Sequence, residues 1–208
     1  RDLPVRQRLL RPAVLLLGVV LAVAPVSLRN YLVGDDLVLV SSNAGLNFYI
    51  GNNARYHETV AIQPGPAWLD LTSRPRVEAG VTKPSAQSHF FFAQSWDFFR
   101  NQPVAFTKLQ FYKLYLFWNG DEIGRNQELY FARQYSSLLQ VLLWKYGIAF
   151  PFGLLAPLAL TGFALGWRRG ILRRPESLLL GLFTATYMLS VVAFFISARY
   201  RLPVIPPL

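Results

Sequence analysis

Apolar residues are concentrated in three long runs of the 208-residue chain, at 12–28, 146–167 and 177–197. A helix needs about 20 consecutive apolar residues to cross the hydrocarbon core of a bilayer, and each run is close to that length. The runs predict three transmembrane helices in a mainly α-helical, polytopic membrane protein.

The segment 29–145 is polar but rich in Phe, Tyr and Trp, and we expect it to form a large loop on one side of the membrane. Aromatic residues at helical spacing predict a helix at 84–101 and a second at 103–118, each starting at a proline. Two interpretations of this amphipathic pair remain open. The helices lie on the membrane surface with Lys108 and Lys113 snorkelling to water, or they pack against other parts of the loop.

The rest of this segment has weaker periodicity. Residues 31–41 predict a short extended segment with a turn at 34–36. Residues 41–53 contain four asparagines and two glycines, a composition typical of a tight, hydrogen-bonded loop with left-handed residues. Apolar residues in 54–83 do not recur at a regular helical or strand spacing. This segment therefore predicts an irregular surface loop that forms a rim or a lid of the extracytoplasmic region.

Basic residues cluster beside the apolar runs and orient the chain. Residues 1–11 hold four arginines and one aspartate, and residues 168–176 hold four arginines and one glutamate, so each carries a net charge of +3. The much longer segment 29–145 has 11 basic and 9 acidic residues. By the positive-inside rule, 1–11 and 168–176 are predicted to be cytoplasmic, whereas 29–145 and 198–208 are extracytoplasmic. Charge divided among membrane flanks does not favour a nucleic-acid partner.

Two further features of the sequence limit the chemistry that this chain can perform. The chain has no cysteine, so it contains neither disulfides nor a thiolate metal site, and its two histidines are isolated. It also lacks the phosphate-cradling, serine-nucleophile and His-Glu-x-x-His signatures, and we therefore assign no metal ligand. The prolines of 203–208 are typical of the first turn of a further span, so we expect a fragment of a larger protein.

Arg199 and Arg201 form the strongest candidate binding site, at the predicted outer end of the third span. A guanidinium binds phosphate oxygens through two parallel hydrogen bonds and stabilises negative charge that develops on them. Simple snorkelling at the interface is the alternative. The adjacent carboxylates Asp35-Asp36 and Asp121-Glu122 are interpreted as turn and surface residues rather than as a catalytic base.

The amides of 41–53, together with Tyr49, are suited to binding sugar hydroxyls or an acceptor. Self-stabilisation of a tight turn is the alternative interpretation of these amides. The substrate-binding candidates are Tyr200, Asn43, Asn47, Tyr49, Asn52, Asn53 and Glu122.

Four short strings occur in an order that resembles one protein family: Pro-Val-Ser-Leu-Arg-Asn at 25–30, the asparagine segment 41–53 with its Asn-Phe-Tyr-Ile-Gly-Asn-Asn, Leu-Phe-Trp-Asn at 116–119 followed by Glu122, and Arg-Tyr-Arg-Leu-Pro at 199–203. The chain resembles the C-terminal portion of bacterial GT-C membrane glycosyltransferases, of the protein mannosyltransferase and aminoarabinose transferase group (glycosyltransferase family 39-like).

The resemblance implies an enzyme of the bacterial inner (cytoplasmic) membrane that transfers a sugar from a polyprenyl-phosphate donor. The acceptor is a glycan, a lipid or a protein on the extracytoplasmic side. In this family the catalytic carboxylate lies in a loop near the N-terminus of the full protein, so its position here is unknown. The fragment is then expected to be inactive alone. The resemblance is also compatible with a divalent metal cofactor in the full-length enzyme.

A competing hypothesis is a non-catalytic membrane scaffold or a transport-associated module. Ionisable residues are missing from 12–28, 147–167 and 177–198. This counts against ion-coupled transport, which places such residues inside the membrane. The absence of ionisable residues does not count against the scaffold hypothesis.

Overall fold

A computed structural model describes residues 4–121, 123, 129–143, 152–171 and 174–206. These residues form helices and irregular segments without a strand, which confirms the prediction of a mainly α-helical protein. The helices are α1 Val5–Gly34, α2 Ala44–Gly51, α3 Tyr56–Ala61, α4 Pro66–Ala79, α5 Pro84–Asn101, α6 Pro103–Trp118, α7 Leu129–Ala132, α8 Ser137–Leu142, α9 Phe152–Arg168 and α10 Pro175–Ala193, with 3₁₀ helices at Arg133–Tyr135 and Ala198–Val204.

Two helices in the described part of the chain are long and apolar enough to cross a membrane. In α1, Leu9–Gly34 spans 26 residues with a mean hydropathy of 2.3, and its most apolar stretch is entirely unburied by the rest of the protein. The 19 residues of α10 have a mean hydropathy of 1.5. Helix α9 is apolar but has 17 residues, and residues 146–151 of that predicted span lie outside the described residues. The two longer helices support membrane association.

The extended segment predicted at 31–41 is wrong at its start, because residues 31–34 belong to the last turn of α1. The turn predicted at 34–36 is present, since the C-cap residue Asp35 is left-handed with a φ of 46°. Beyond it the chain folds back along the helix, because Ser27 Oγ donates to Leu39 O at 2.7 Å and Asn30 Nδ2 donates to Val38 O at 2.9 Å. These carbonyls therefore bond to side chains of α1 instead of a neighbouring strand.

The tight loop predicted at 41–53 is also wrong, because most of it is helix α2. Among the described residues other than glycine, left-handed φ occurs at Asp35 and not in this segment. Gly45, Tyr49, Ile50 and Gly51 of α2 are all buried. Burial of this helix thus overrides the turn preference of the asparagines.

The irregular loop predicted at 54–83 is wrong as well, since it contains α3 and α4. Helix α4 has Pro66 in its first turn and ends at Gly80, which adopts the left-handed conformation with a φ of 64°. Proline at the start and glycine just after the end are common helix boundaries. The scattered charged residues of the segment break the apolar spacing, so the proline and glycine at the ends of α4 are not sufficient to predict the helix.

Helices α5 and α6 have the bounds that the sequence pattern indicates, and α6 contributes to two hydrophobic clusters formed by the described residues. The first cluster joins α2, α5 and α6 to the residues that follow α10, and it comprises Tyr49, Ile50, Tyr56, Leu71, Phe91, Leu109 and Phe195. The second joins α6 to α10 and comprises Phe117, Val191, Val192, Ile196 and Val204. Helix α6 therefore connects the packed α2–α5 region to the end of α10.

The end of α1 is attached to the start of α5 by two acidic residues. Lys83 Nζ donates to Asp35 Oδ2 at 2.8 Å. Asp36 Oδ2 accepts from Ser85 N at 2.7 Å, one of the first-turn N–H groups that a helix leaves without an internal partner. Hydrogen bonds from Ser85 lower the pKa of the Asp36 carboxyl. Asp36 thus acts as a cap of α5 supplied by the chain just after α1.

Candidate functional site at the end of α10

The 3₁₀ helix Ala198–Val204 follows α10 after a short linker and carries Arg199, Tyr200 and Arg201. Arg199 is exposed. Its guanidinium carbon lies 5.0 Å from the centre of the Tyr200 ring, and its Nη2 donates to Tyr200 Oη at 3.1 Å. A cation and an aromatic ring are thereby presented together at the surface.

Arg201 has a different environment, with 1% of its surface exposed. Its guanidinium donates to the carbonyl oxygens of Asn119 and Asp121, just beyond the end of α6. The same group lies 4.4 Å from the centre of the Phe152 ring. The structure therefore separates the two predicted phosphate ligands: Arg199 faces solvent, and Arg201 binds protein carbonyls beneath the surface.

The amides of Asn52 and Asn53 are used inside the protein. Asn52 Nδ2 donates to Phe48 O at 2.9 Å and to Ala193 O at 2.8 Å, and its Oδ1 accepts from Gln110 Nε2 at 2.8 Å. Asn53 Nδ2 donates to Tyr49 O at 2.7 Å and to Thr59 Oγ1 at 2.9 Å. These contacts fit self-stabilisation, the alternative to sugar binding.

The remaining sequence-predicted candidates are dispersed. Tyr49 is buried, and its Oη accepts from Arg74 Nη1 at 2.8 Å. Asn43 is exposed just before α2, whereas Asn47 is half-buried within it. Glu122 lies outside the described residues. Tyr49 and Tyr200 pack on the same hydrophobic cluster, so the structure connects α2 to the Arg199 surface through packing.

Lys113 distinguishes the two interpretations of α6. Its side chain is fully buried, which excludes snorkelling for this lysine and fits the alternative of packing against other parts of the protein. Its Nζ donates to Asn52 Oδ1 at 2.9 Å, to Phe194 O at 3.0 Å and to Gly51 O at 3.1 Å. The sequence does contain an indication that Lys113 is buried. Leu109, Lys113 and Phe117 are spaced four residues apart and therefore lie on the same face of α6, which is buried.

Two helix ends point at the Lys113 ammonium. Gly51 is the last residue of α2, and Phe194 is the C-cap of α10. The C-terminal end of a helix carries partial negative charge, which favours a cation. Burial acts in the opposite direction and lowers the pKa of Lys113 to about 7. The protonated form gives each of the three oxygens its own N–H donor.

A cavity of about 740 Å³ lies between α9 and α10. Its lining is mostly apolar and includes Leu155, Phe163, Leu180 and Met188, with Trp118 of α6 and Arg169 also contributing. Within the described ranges, His, Asp and Glu form no group of three that could hold a metal ion. The described surfaces around α10 thus offer an apolar cavity and, beyond the end of the helix, the exposed guanidinium of Arg199.

No protein-family model, curated protein or solved structure matches this chain. Its function must therefore be inferred from its own residues and their arrangement.

Proposed function

We propose that this chain is part of a membrane glycosyltransferase that moves a sugar from a polyprenyl-phosphate donor to an acceptor on the extracytoplasmic side of a bacterial inner membrane. The observation that carries the proposal is the exposed Arg199, in contact with the half-buried Tyr200 just beyond the end of α10, a helix of membrane-spanning length. A polyprenyl phosphate has its phosphate at the boundary between lipid and water, which is where such a helix would place Arg199.

The chemistry of sugar transfer suits an arginine at this position. The bond between the anomeric carbon and the phosphate oxygen breaks, and the electron pair of that bond remains on the phosphate. A guanidinium beside those oxygens stabilises the charge as it develops. The acceptor hydroxyl gives its proton to a general base, which in this proposal comes from outside the 208 residues.

The two arginines have separate roles in the proposal. Arg199 contacts the donor phosphate, and Tyr200 supplies an aromatic face beside it. Arg201 lies beneath, where its hydrogen bonds to Asn119 and Asp121 hold the 3₁₀ helix to the end of α6. The apolar cavity between α9 and α10 provides a place for the prenyl tail.

The experiment is the Arg199→Ala variant in the full-length enzyme, reconstituted with a polyprenyl-phosphate sugar. We expect sugar transfer to fall at least about tenfold, or ~1.4 kcal/mol of transition-state stabilisation. Arg55→Ala, at an exposed arginine of the α2–α3 turn, is the matched control and should retain activity. A wild-type rate for Arg199→Ala would remove the phosphate assignment.

A non-catalytic membrane scaffold is the second candidate, and one observation favours it. Large aromatic side chains remain exposed on α5 and α6, among them Trp96, Phe111 and Tyr115. Exposed apolar patches of this kind commonly mark interaction surfaces. For a scaffold, the full-length protein would show no sugar transfer, and charged substitutions at these three positions would release its partner subunit.

A further inference from the structure

The C-terminal end of α10 is held by three residues from two other elements, Gly51 and Asn52 at the end of α2 and Lys113 of α6, which we call the α10 clamp. Asn52 Nδ2 donates to Ala193 O at 2.8 Å, and Lys113 Nζ donates to Phe194 O at 3.0 Å. The last carbonyls of a helix have no partner within it. The clamp thus supplies the donors that α10 lacks.

Gly51 brings the backbones of α2 and α10 into direct contact. A Cβ atom at this position would lie 1.7 Å from Phe194 O. No larger residue fits there without displacing one of the two helix ends. The position of Phe194 is therefore fixed by backbone contact as well as by the Lys113 ammonium.

Helix α6 holds both ends of the segment that leads to Arg199. Lys113 binds Phe194 at its start, and Asn119, just beyond the helix, accepts from Arg201 near its end. Lys113 and Asn119 are about 9 Å apart along the helix axis at 1.5 Å per residue. Ile196 is buried between these two attachments, and Arg199 is exposed. Helix α6 thus fixes Arg199 at the surface together with Ile123, whose carbonyl accepts from Ala198 N at 2.9 Å and from Ser197 Oγ at 3.3 Å.

We infer that Lys113 is a positioning residue for the phosphate site: through the α10 clamp it fixes the segment that presents Arg199. This inference rests on the proposed function for its biological meaning, but the restraint itself is a property of the fold. Without the ammonium, the oxygens of Gly51, Asn52 and Phe194 each lose a donor in a buried place. The segment then loses its bond from Lys113 to Phe194 O and keeps its bonds to Ile123 O and those made through Arg201.

The test uses a pair of spin labels, which the absence of cysteine from the sequence makes simple to place. Cysteines introduced at the exposed positions Val77 of α4 and Leu202 of the 3₁₀ helix carry the labels. The full chain is measured in lipid nanodiscs by pulsed electron resonance. We expect a narrow distance distribution in the parent protein and at least a doubling of its width in Lys113→Met.

Lys108→Met is the matched control, because Lys108 is an exposed lysine of the same helix, and it should keep the parent width. A parent-like width in Lys113→Met would overturn the inference. If Lys113→Met does not accumulate in folded form, Lys113→Gln replaces it, since this change also removes the ammonium that donates to the carbonyls of Gly51 and Phe194. A broadened distance distribution in Lys113→Gln would support the inference, and a parent-like width would overturn it.

Activity of the full-length enzyme provides a second readout. If Lys113 acts through Arg199, the double variant Lys113→Met, Arg199→Ala should be no slower than Arg199→Ala alone. Losses that multiply would contradict a positioning role and indicate general destabilisation. Should Arg199→Ala have no effect, the proposed function fails, and the distance measurement still decides whether the clamp exists.

Discussion

Glycine at residue 51 is required by the contact between α2 and α10. A methyl group there would overlap Phe194 O, and a similar overlap with Ser88 O exists at Gly45. By contrast, a Cβ at Gly18 of α1 would meet nothing within 4 Å. The two kinds of glycine look alike in the sequence, and only the packing of distant segments distinguishes them.

Gly51→Ala is expected to destabilise the protein by about 1–3 kcal/mol, the usual cost of overpacking. Thermal unfolding in detergent or nanodiscs measures the change. Gly18→Ala is the control and should be at least as stable as the parent protein, because its methyl group meets no neighbour and alanine favours the helix. Equal stability of Gly51→Ala and the parent would contradict the close approach of α2 to Phe194.

Arg201→Ala should lower stability as well as activity. The substitution removes two charge-assisted hydrogen bonds, each worth roughly 1.5–3 kcal/mol, and leaves the carbonyls of Asn119 and Asp121 without this donor. Arg199→Ala, at the exposed position, should leave the unfolding temperature unchanged. If both variants unfolded like the parent, Arg201 would not hold the 3₁₀ helix to α6.

At this scale the sequence identified Arg199 and Arg201 as a pair but could not distinguish them. The difference depends on Asn119 and Asp121, which are about 80 residues away in the chain. Asn52 is a similar case, because its partner Ala193 is 141 residues distant. Composition indicates that an amide can bind a sugar, but it does not reveal that the amide is already occupied.

Among the elements, α5 and α6 could be predicted from the sequence because their signals are local. Each begins at a proline, and their aromatic residues recur at helical spacing. Helix α2 could not, because its asparagines and glycines favour turns in isolation and its helix is stabilised by burial against α5. Tertiary packing commonly overrides such weak preferences.

The Asp36 cap of α5 gives this junction a pH dependence. Hydrogen bonds from Ser85 hold the pKa of the Asp36 carboxyl below its ordinary value of about 3.9. Its stabilising contribution is therefore complete above the ordinary pKa and is lost as the pH falls through the lower, folded-state pKa.

The free-energy difference between the parent and Asp36→Ala should thus be constant above about pH 5 and shrink in more acidic solution. Denaturant unfolding over a pH series measures it. A difference that stayed constant into strong acid would show that Asp36 does not cap α5 as a carboxylate.

For the whole molecule, the sequence indicated a mainly α-helical chain, and the structure has two helices of membrane-spanning length. The orientation of those helices rests on the arginine clusters at 1–11 and 168–176. The proposed sugar transfer requires α2–α6 and the 3₁₀ helix to share one side of the membrane. The link between α9 and α10 must then lie on the opposite side.

Labelling with a membrane-impermeant maleimide tests this arrangement most directly. Single cysteines are placed at Val77, Leu202 and Ile171, all exposed positions, in a chain without native cysteine. We expect the first two to react in intact spheroplasts and the cysteine at residue 171 to react only after permeabilisation. Reaction of residues 77 and 171 from the same side would contradict the proposed transferase site.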